Sequence, residues 1–397
     1  MVRRSLIFCL TLLCSSVFGQ TCTTTLNAGA AVGTSISGAA NGAVICLNNG
    51  NYSGFTLNNV SKSPRVTVRA VNSGSATFTS GLSITGSTSG ITIDGVNYSG
   101  ITITGASAQN LTFKNADASP ATVEIDGVTT TTPNILFENL THYDQDNTGF
   151  CHGGTVNCVG AGGYWFSYSG RSTPVATIRG ADINRGCADG IQSGVPFILE
   201  YSKIQNKLVG SCINDPHTDA TQLFGGPFSG TIIRYNYYYN NAQVVAAYDG
   251  VDGVLIEHNV MDPGTSEPRP CQIELYSDSG SIVRNNTIII RGGNGSICID
   301  KKPADDVGVN TQASNNIAAS VEAANGSTYS VNTKNLLPSG GGTNITGTAT
   351  FSGTCSGGAA NWRNCNLTGG SSGKNAGTDS KDVGTRFYGV RKPTGLN

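Results

Sequence analysis

A short motif that recurs about every two dozen residues constrains what this chain can fold into. Each copy has two or three β-forming residues and a polar pair that ends in Asn or a small residue. The copies are LTFKN at 111–115, ILFEN at 135–139, ATIRG at 176–180, ILEYS at 198–202, IIRYN at 232–236, LIEHN at 255–259, IVRNN at 282–286 and QASNN at 312–316. The closest copies are 22 to 24 residues apart, and the two most enlarged steps, of 41 and 34 residues, contain insertions. A step of this length is typical of a repeat protein.

Short strands with Gly and Asn between them indicate which kind of repeat protein this is. One such unit cannot bury its apolar face, so it must stack on copies of itself. A β-propeller needs longer repeats with about four strands per blade, and an immunoglobulin-like sandwich produces hairpins rather than a constant step. In a parallel β-helix the apolar alternation of each strand fills the bore, and Asn at a recurring turn tolerates left-handed geometry while its amide bonds up the stack. We therefore predict an all-β fold, a single parallel β-helix.

The N-terminus predicts export. Residues 1–20 place Arg3 and Arg4 before an apolar run and small residues, which is the pattern of a cleaved secretory signal peptide. No later stretch has the apolar length of a membrane span, and a net charge of −1 indicates no binding to nucleic acid or to an anionic membrane. We expect a secreted monomer with an N-terminal cap at 21–62 and a β-helix with C-terminal cap coils at 63–397.

Ten of the twelve cysteines follow the signal peptide, and an even number predicts disulfides in an oxidising compartment. The sequence leaves their connectivity open. Pairing of nearest neighbours closes short local loops, and the lack of a C-x-x-C pair argues against a metal site. The expected pairs are Cys22–Cys46, Cys151–Cys158, Cys187–Cys212, Cys271–Cys298 and Cys355–Cys365.

Two coils carry long insertions, one after Asn139 and one after Asn206. The second lies within a stretch that repeats itself, since DGIQ at 189–192 returns as DATQ at 219–222. Long loops are where sites usually lie. We expect the two insertions to wall a groove, and a long groove fits an extended polysaccharide.

The strand that follows the second insertion can be traced through successive coils, and it collects titratable side chains in a chain that has few. Strands of a parallel stack lie about 4.8 Å apart, so residues two rungs away are within the reach of one sugar. The candidate catalytic residues are His217, Asp219, Asp189, Asp215, Lys301, Arg269 and Tyr248. The candidate substrate-binding residues are Gln192, Gln222, Glu274, Tyr276, His152 and Lys302.

His217 is the sharpest candidate among the four histidines. Pro216 fixes the backbone before it, and Asp215 and Asp219 flank its ring. Either carboxylate can orient the tautomer of the ring or raise its pKa. The alternative is a loop histidine that is hydrogen-bonded to backbone.

The other three histidines carry weaker signals. His142 and His152 follow Asn139, where they either line the opposite wall of the groove or are solvated loop residues. His258 occupies a repeated turn position, and we expect it to be structural.

Calcium is the one cofactor that the sequence leaves open. The segment DQDNTG at 144–149 alternates carboxylates as calcium loops do, but it lacks the terminal bidentate Glu. Carboxylates on neighbouring coils are the other choice, with Asp249 and Asp300 as candidate ligands and Asp252 and the pair at 305–306 nearby.

These residues resemble a known group. DGIQ followed by HTDAxQ, with R-x-N-type turns after it, is similar to secreted right-handed parallel β-helix proteins of the pectate-lyase-like superfamily, and the resemblance covers most of the chain. The Asp-Pro-His run at 215–217 is also similar to the core motif of mannuronan C5-epimerases. The polygalacturonase set of Asn-Thr-Asp, Asp-Asp, Gly-His-Gly and Arg-Ile-Lys is not found, and the calcium ligands of pectate lyases cannot be assigned one by one.

The resemblance implies a right-handed β-helix and lyase or epimerase chemistry on a uronic-acid polysaccharide. Both reactions begin by removing the proton at C5, and the resulting enolate needs neutralisation by Lys, Arg, His⁺ or calcium. A lyase then expels the 4-linked sugar, whereas an epimerase returns a proton to the other face. The resemblance implies His217 as base or acid, Lys301 or Arg269 as the neutralising cation, and Tyr248 or Tyr276 as the donor to the leaving oxygen. We expect a polysaccharide lyase.

Two other functions stay open. A glycoside hydrolase needs two carboxylates at a defined separation, and Asp189 with Asp219 is the candidate pair. A non-catalytic polysaccharide-binding module or adhesin predicts that replacement of His217 leaves binding intact.

Overall fold

The computed structural model describes residues 21–119, 122–143, 163–167, 170–186, 189–208, 218–266, 268–302, 305–358 and 362–386. Within these residues, no helix is long and apolar enough to cross a membrane.

The described chain winds into a parallel β-helix with three faces, which confirms the predicted fold class. We number the faces by the strands given below. In each complete coil the chain passes from a third-face strand to a first-face strand, turns sharply to a second-face strand, and returns through a loop to the third face. The first face is formed by Thr24–Leu26, Val44–Leu47, Ser61–Ala70, Ser89–Asp94, Gln109–Asp117, Ile135–Tyr143, Thr177–Arg179, Ile198–Glu200, Ile232–Arg234, Leu255–Glu257, Ile282–Arg284, Thr311–Ser314 and Tyr329–Thr333. The second face is formed by Gly50–Tyr52, Ala76–Phe78, Val96–Tyr98, Asp182–Asn184, Lys203–Gln205, Tyr237–Tyr239, Val260–Asp262, Thr287–Ile288, Leu336–Leu337 and Ile345–Thr346. The third face is formed by Thr56–Asn58, Leu82–Thr85, Ile101–Ile103, Val123–Ile125, Tyr164–Phe166, Ile191–Ser193, Asp219–Leu223, Gln243–Ala247, Cys271–Tyr276, Ser296–Asp300 and Val321–Ala323.

Period-two alternation explains why these strands stack. In Ile101–Ile103 both isoleucines are buried in the bore while Thr102 faces outward, and the same pattern recurs in Val123–Ile125 and Tyr164–Phe166. Like residues therefore lie above one another, and the rings of Phe113 and Phe137 stack with centroids 5.5 Å apart. Stacking of the coils buries one continuous apolar core that no coil could form alone.

The turn from the first face to the second consists of one residue with positive φ. That residue is Asn115, Asn139, Gly180, Tyr201, Tyr235, His258, Asn285 and Asn315 in successive coils. The register of the strands places these residues in one column. His258 belongs to this column, where its ring stacks on that of Tyr235 with centroids 5.0 Å apart.

The residue after this turn forms a second column, which is a buried asparagine ladder. The side-chain amide of each member donates to the side-chain oxygen of the next at 2.9 to 3.1 Å. Its buried members are Asn236, Asn259, Asn286, Asn316 and Asn335, and it ends on Asn344, which is partly exposed. The last position of the sequence motif therefore has two structural roles. In the first three copies it is the turn residue itself, at 115, 139 and 180. In the later copies it is the residue that follows the turn.

The residue before the turn alternates in charge from coil to coil. Reading along the stack, the column contains Arg69, Asp94, Lys114, Glu138, Arg179, Glu200, Arg234, Glu257 and Arg284. Glu200 accepts from Arg179 at 2.7 Å and from Arg234 at 2.8 Å. Many of the chain's charges are thus paired with one another on the first face.

Two segments outside the stacked strands cover the β-helix. A seven-residue helix, Val32–Gly38, buries Ile36 in the core near the first coils. The segment around the 3-10 helix Trp362–Cys365 folds back on the second face, where the Tyr237 hydroxyl donates to Gly357 O at 2.7 Å.

Three of the predicted disulfides are confirmed: Cys22–Cys46, Cys271–Cys298 and Cys355–Cys365. The other two pairs, Cys151–Cys158 and Cys187–Cys212, lie outside the described residues.

Candidate functional site

Both long insertions leave the β-helix at the same corner, where the second face passes into the third. The first insertion follows Tyr143 and ends before Tyr164, and the second follows Gln205 and ends before Asp219. In a later coil, the loop at 263–270 brings Arg269 to the same corner. The insertions therefore adjoin the start of the third-face strands, where the candidate residues were expected.

A close approach of two coils shapes the floor of this corner. A side chain at Gly190 would place its Cβ 2.7 Å from the carbonyl oxygen of Ala220 in the next coil. At the preceding coil, a Cβ on Gly163 would lie 2.5 Å from the carbonyl oxygen of Gly190. Only glycine fits here, and it lets Asp189 lie directly beside Asp219.

Asp189 and Asp219 form a buried acidic pair. The Asp219 amide donates to Asp189 Oδ1 at 2.8 Å, and the two residues are 4% and 0% exposed. The two carboxylate oxygens of Asp219 have no hydrogen-bond partner among the described residues. Burial raises the pKa of Asp219 to about 7, although the charge of Arg269 acts in the opposite direction. Burial, and next the charge of Asp219, also raises the pKa of Asp189 well above its usual range, so the pair retains protons near neutral pH.

An arginine–tyrosine pair lies one coil beyond the acidic pair. Arg269 Nη1 donates to the Tyr248 hydroxyl at 2.7 Å and to Gln243 Oε1 at 3.1 Å. The Tyr248 hydroxyl donates to Gln243 Oε1, and Glu274 Oε2 lies 3.3 Å from the same hydroxyl. Gln243 Nε2 closes the network by donating to Glu274 Oε2 at 2.8 Å. Gln243 is also the register partner of Asp219, so the network and the acidic pair are adjacent.

Electrostatics hold both members of this pair in their protonated forms. Burial raises the pKa of Tyr248, and the charges of Asp219 and Glu274 raise it further. Burial alone would lower the pKa of Arg269, but Tyr248 and Asp219 keep it above its ordinary value. The corner therefore offers a fixed cation beside a neutral hydroxyl that has a proton to give.

The outward-facing residues of the third face form a single row, which we call the outer row. It contains Thr56, Ser83, Thr102, Glu124, Trp165, Gln192, Gln222, Ala246, Glu274, Cys298 and Glu322. Gln192 Nε2 donates to Gln222 Oε1 at 2.7 Å. Tyr276 is beside the row, with its ring edge-on to that of Tyr248 at 5.2 Å. The structure thus brings together the predicted substrate-binding residues Gln192, Gln222, Glu274 and Tyr276.

The predicted residues further along the stack have separate partners. Lys302 Nζ lies 2.7 Å from Asp249 Oδ1 in an exposed ion pair. Asp300 Oδ1 accepts from the Lys301 amide at 2.6 Å and from Asn325 Nδ2 at 2.7 Å.

Asp249 and Asp300, the candidate calcium ligands, therefore contact different residues. Among the described residues, no group of three or more His, Cys, Asp or Glu side chains is arranged to hold a metal. Calcium stays a prediction, and no step below depends on it.

Several predicted residues cannot be placed. His217, Asp215 and His152 lie outside the described residues.

His142 is described, and neither expectation for it is right. It is 1% exposed, and its ring lies 4.7 Å from that of Tyr164 inside the bore. The cause is that Ile135–Tyr143 continues past the turn at Asn139, so the alternation turns His142 inward.

Sequence reasoning missed one residue of the corner, Gln243, and one aromatic residue of the outer row, Trp165. Gln243 carries no charge, and its role as the common partner of Arg269, Tyr248 and Glu274 depends on the coil register. Trp165 could have been found, because Tyr-Trp-Phe at 164–166 is a period-two strand whose central residue faces outward.

Comparison with known proteins places the fold but not a sequence family. No protein-family model matches the sequence, and no curated protein matches it. A point mutant of AlyGC, an alginate lyase of polysaccharide lyase family 6, aligns with a TM-score of 0.57 at 11% identity, over 93% of this chain and 59% of the enzyme. The chain thus spans less than two thirds of the length of that lyase.

Two further solved structures align less closely. The A-module of a mannuronan C-5 epimerase from Azotobacter vinelandii aligns with a TM-score of 0.49 at 12% identity, over 78% of this chain and 91% of that module. A pectate lyase aligns with a TM-score of 0.44 at 15% identity, over 92% of this chain and 96% of that enzyme. The chain is a parallel β-helix protein that shares its fold with alginate lyase AlyGC.

Proposed function

We propose that this protein is a secreted polysaccharide lyase that cleaves a uronic-acid polysaccharide by β-elimination. The observation that carries the proposal is the Arg269–Tyr248 pair, with 2.7 Å between guanidinium and hydroxyl, at the corner where both insertions leave the coil. β-Elimination at a uronic acid needs a cation for the carboxylate and a proton donor for the leaving oxygen, and this pair supplies both.

The proposed reaction assigns one task to each group. A base removes the C5 proton while the guanidinium of Arg269 binds the sugar carboxylate and neutralises the charge that develops on it. The C4–O bond breaks, the C4–C5 double bond forms, and the Tyr248 hydroxyl gives its proton to the leaving oxygen. His217, two residues before Asp219, is the predicted base. Solvent then carries the proton from the base back to Tyr248.

The acidic pair supports this chemistry indirectly. Asp219 is fully buried, so it cannot touch a sugar, and with a pKa of about 7 its carboxyl carries a proton about half of the time at pH 7. When Asp219 is protonated, its neutral carboxyl leaves the guanidinium charge of Arg269 available for the substrate. The same burial argues against Asp189 and Asp219 as the two working carboxylates of a hydrolase.

The proposal is tested on alginate, pectate and glucuronan, with and without calcium. A lyase releases unsaturated, ultraviolet-absorbing ends from at least one of them. Unsaturated ends on none of the three would contradict the proposal. Reducing ends without unsaturation would instead support a hydrolase, and C5 proton exchange without chain cleavage would support an epimerase.

Replacement of Tyr248 gives the sharper test. We expect Tyr248→Phe to lower kcat by about 10²- to 10⁴-fold, the range of a lost general acid. The matched control is Tyr329→Phe, since the Tyr329 hydroxyl lies 3.1 Å from Glu322 O and 3.3 Å from Ile297 O and has no part in the proposed reaction. Equal activity of the two variants would remove Tyr248 from the mechanism.

A further inference from the structure

The loop that carries Arg269 is attached to the β-helix at its C-terminal end. Arg269 lies between Pro268 and Pro270, so its amide is the one backbone N–H in this run of three residues. That amide donates to Ala242 O at 2.9 Å. The Pro270 carbonyl accepts from two amides of the next coil, of which that of Ser296 lies at 2.9 Å. The backbone beside Arg269 is thus bound to the coils on both sides.

Gln272 adds an attachment from inside the coil. Its side chain is 0% exposed, and its Nε2 donates to Arg269 O at 2.9 Å and lies 3.4 Å from Ala242 O. A flipped amide would place its oxygen against these two carbonyls, so Nε2 is the atom that faces Arg269.

Two further features single out this glutamine. Its Oε1 is buried and has no hydrogen-bond partner among the described residues. The strand register shifts between Cys271 and Ile273, so Gln272 is an extra residue without a register partner in the next strand. A bulge redirects a side chain, and an unsatisfied amide oxygen is costly in the interior. The bonds that Gln272 does make hold the end of the Arg269 loop.

A disulfide ties the same loop end to the outer row. Cys271, two residues after Arg269, is bonded to Cys298, and Cys298 is the register partner of Glu274. Glu274 accepts from Gln243, whose Oε1 accepts from Arg269. The covalent link therefore joins the backbone beside Arg269 to the network that its guanidinium enters.

We propose that Gln272 and the Cys271–Cys298 disulfide are positioning groups for Arg269, which hold its guanidinium at the Tyr248 hydroxyl. The proposal rests on the proposed function, and both groups act through Arg269 rather than on the sugar. A cation stabilises a developing charge best when it is held in place before the reaction. A misplacement of about 1 Å can lower the rate by about 10²-fold.

Two variants test the positioning groups on a uronan that the wild type cleaves. Gln272→Met keeps the side-chain length without the donor, and Cys271→Ser, Cys298→Ser removes the link. We expect each to lower kcat by about 10- to 10²-fold at a temperature where thermal melting shows it to be folded. The matched control is Cys22→Ser, Cys46→Ser, which opens a link across 24 residues rather than 27 and should keep the wild-type kcat. An equal loss in both disulfide variants would overturn the role of Cys271–Cys298.

Hydrogen exchange reports on Arg269 without any substrate. Isotope-labelled arginine gives one backbone amide signal for each arginine, and the signal of Arg269 is absent from an Arg269→Lys protein. We expect this amide to exchange faster by about tenfold or more in Gln272→Met and in Cys271→Ser, Cys298→Ser. The amide of Arg284, in the first-face strand of the same coil, should exchange as in the wild type.

The outcomes separate this inference from the proposed function. Unchanged exchange at Arg269 in both variants overturns the positioning role, whether or not the wild type cleaves a uronan. Faster exchange at Arg284 as well also overturns it, because the whole coil has then loosened. Faster exchange at Arg269 alone, in a protein whose wild type cleaves no uronan, supports the attachment of Arg269 and overturns the lyase.

Discussion

At the residue scale, the most unusual group is the carboxyl of Asp219. A folded protein rarely buries an acid whose oxygens have no partner, since the charged form is then costly. Here the fold holds the acid because Asp219 starts a third-face strand at a corner closed by Gly190, and its own amide is bound by Asp189. The result is an acid that is protonated when most others are charged.

Asp219 should therefore make stability fall as the pH rises. Its pKa is about 7 in the folded chain and about 3.9 in an unfolded one, so the unfolded state loses its proton first. The penalty is absent below about pH 4, grows between about pH 4 and 7, and is then constant, at most on the order of 4 kcal/mol. Asp219→Asn removes the ionisable group, and we expect it to unfold at a higher temperature than the wild type at pH 8 but at nearly the same temperature at pH 4.

Thermal unfolding across pH 4 to 8 checks this expectation, with Asp278→Asn as the comparison. Asp278 is buried too, but it accepts from the Ser281 and Thr311 hydroxyls, so its carboxylate is solvated by the protein and its loss should be destabilising. A difference between Asp219→Asn and the wild type that does not vary with pH would contradict the account of the acidic pair.

At the element scale, the asparagine ladder holds the coils in register. Asn286 accepts from the amide and the side chain of Asn259, and it donates to Ile256 O and to Asn316 Oδ1. Asn286 thus ties three coils together through groups that no water reaches. We therefore expect the ladder hydrogen bonds to fix the register between neighbouring coils at the turn.

Removing one rung should be costly. Asn286→Ala leaves buried backbone and amide groups of its neighbours unsatisfied, and we expect a loss of about 3 kcal/mol in the free energy of unfolding. Asn72→Ala is the matched control, because Asn72 donates to Asn49 on the surface and its loss should change stability by less than about 0.5 kcal/mol. Urea denaturation that finds the two variants equally stable would contradict the role of the ladder.

At the scale of the whole molecule, the three faces have different surroundings. The first face pairs its charges along the stack, as Glu200 does with Arg179 and Arg234. The second face is partly covered by the C-terminal segment, where Lys203 Nζ reaches Gly358 O at 2.8 Å. The third face carries the outer row, and its strands follow the described residues that flank both insertions, so we expect a long ligand at this face.

Much of this architecture follows from the sequence, because the length of the repeat can be read from the spacing of the motif. The strands, the bore and the corner of the insertions could be predicted, and so could three disulfides. The turn could be predicted less well, since Asn115 and Asn236 look alike in the motif but occupy adjacent columns with different roles. Residue type alone does not distinguish the turn residue with positive φ from the ladder residue that follows it, because both are often Asn.

The sequence could predict those site residues whose chemistry is evident from the residue type. It could not predict those that join the site only through the register between coils. Arg269, Tyr248 and Asp219 are titratable and were candidates from the start. Gln243 joins them only because the coil places it beside Asp219. His142 shows the opposite failure, since a histidine near an insertion suggests a site, yet one more strand residue past the turn directs it into the bore.

A crystal structure of the Tyr248→Phe protein with a bound uronic-acid oligosaccharide tests the central claim most directly. The account predicts a sugar chain at the third face, with one carboxylate on the Arg269 guanidinium and the bond to be cleaved beside position 248. A sugar chain on the first or second face, or one that crosses the third face without contacting Arg269, would contradict it.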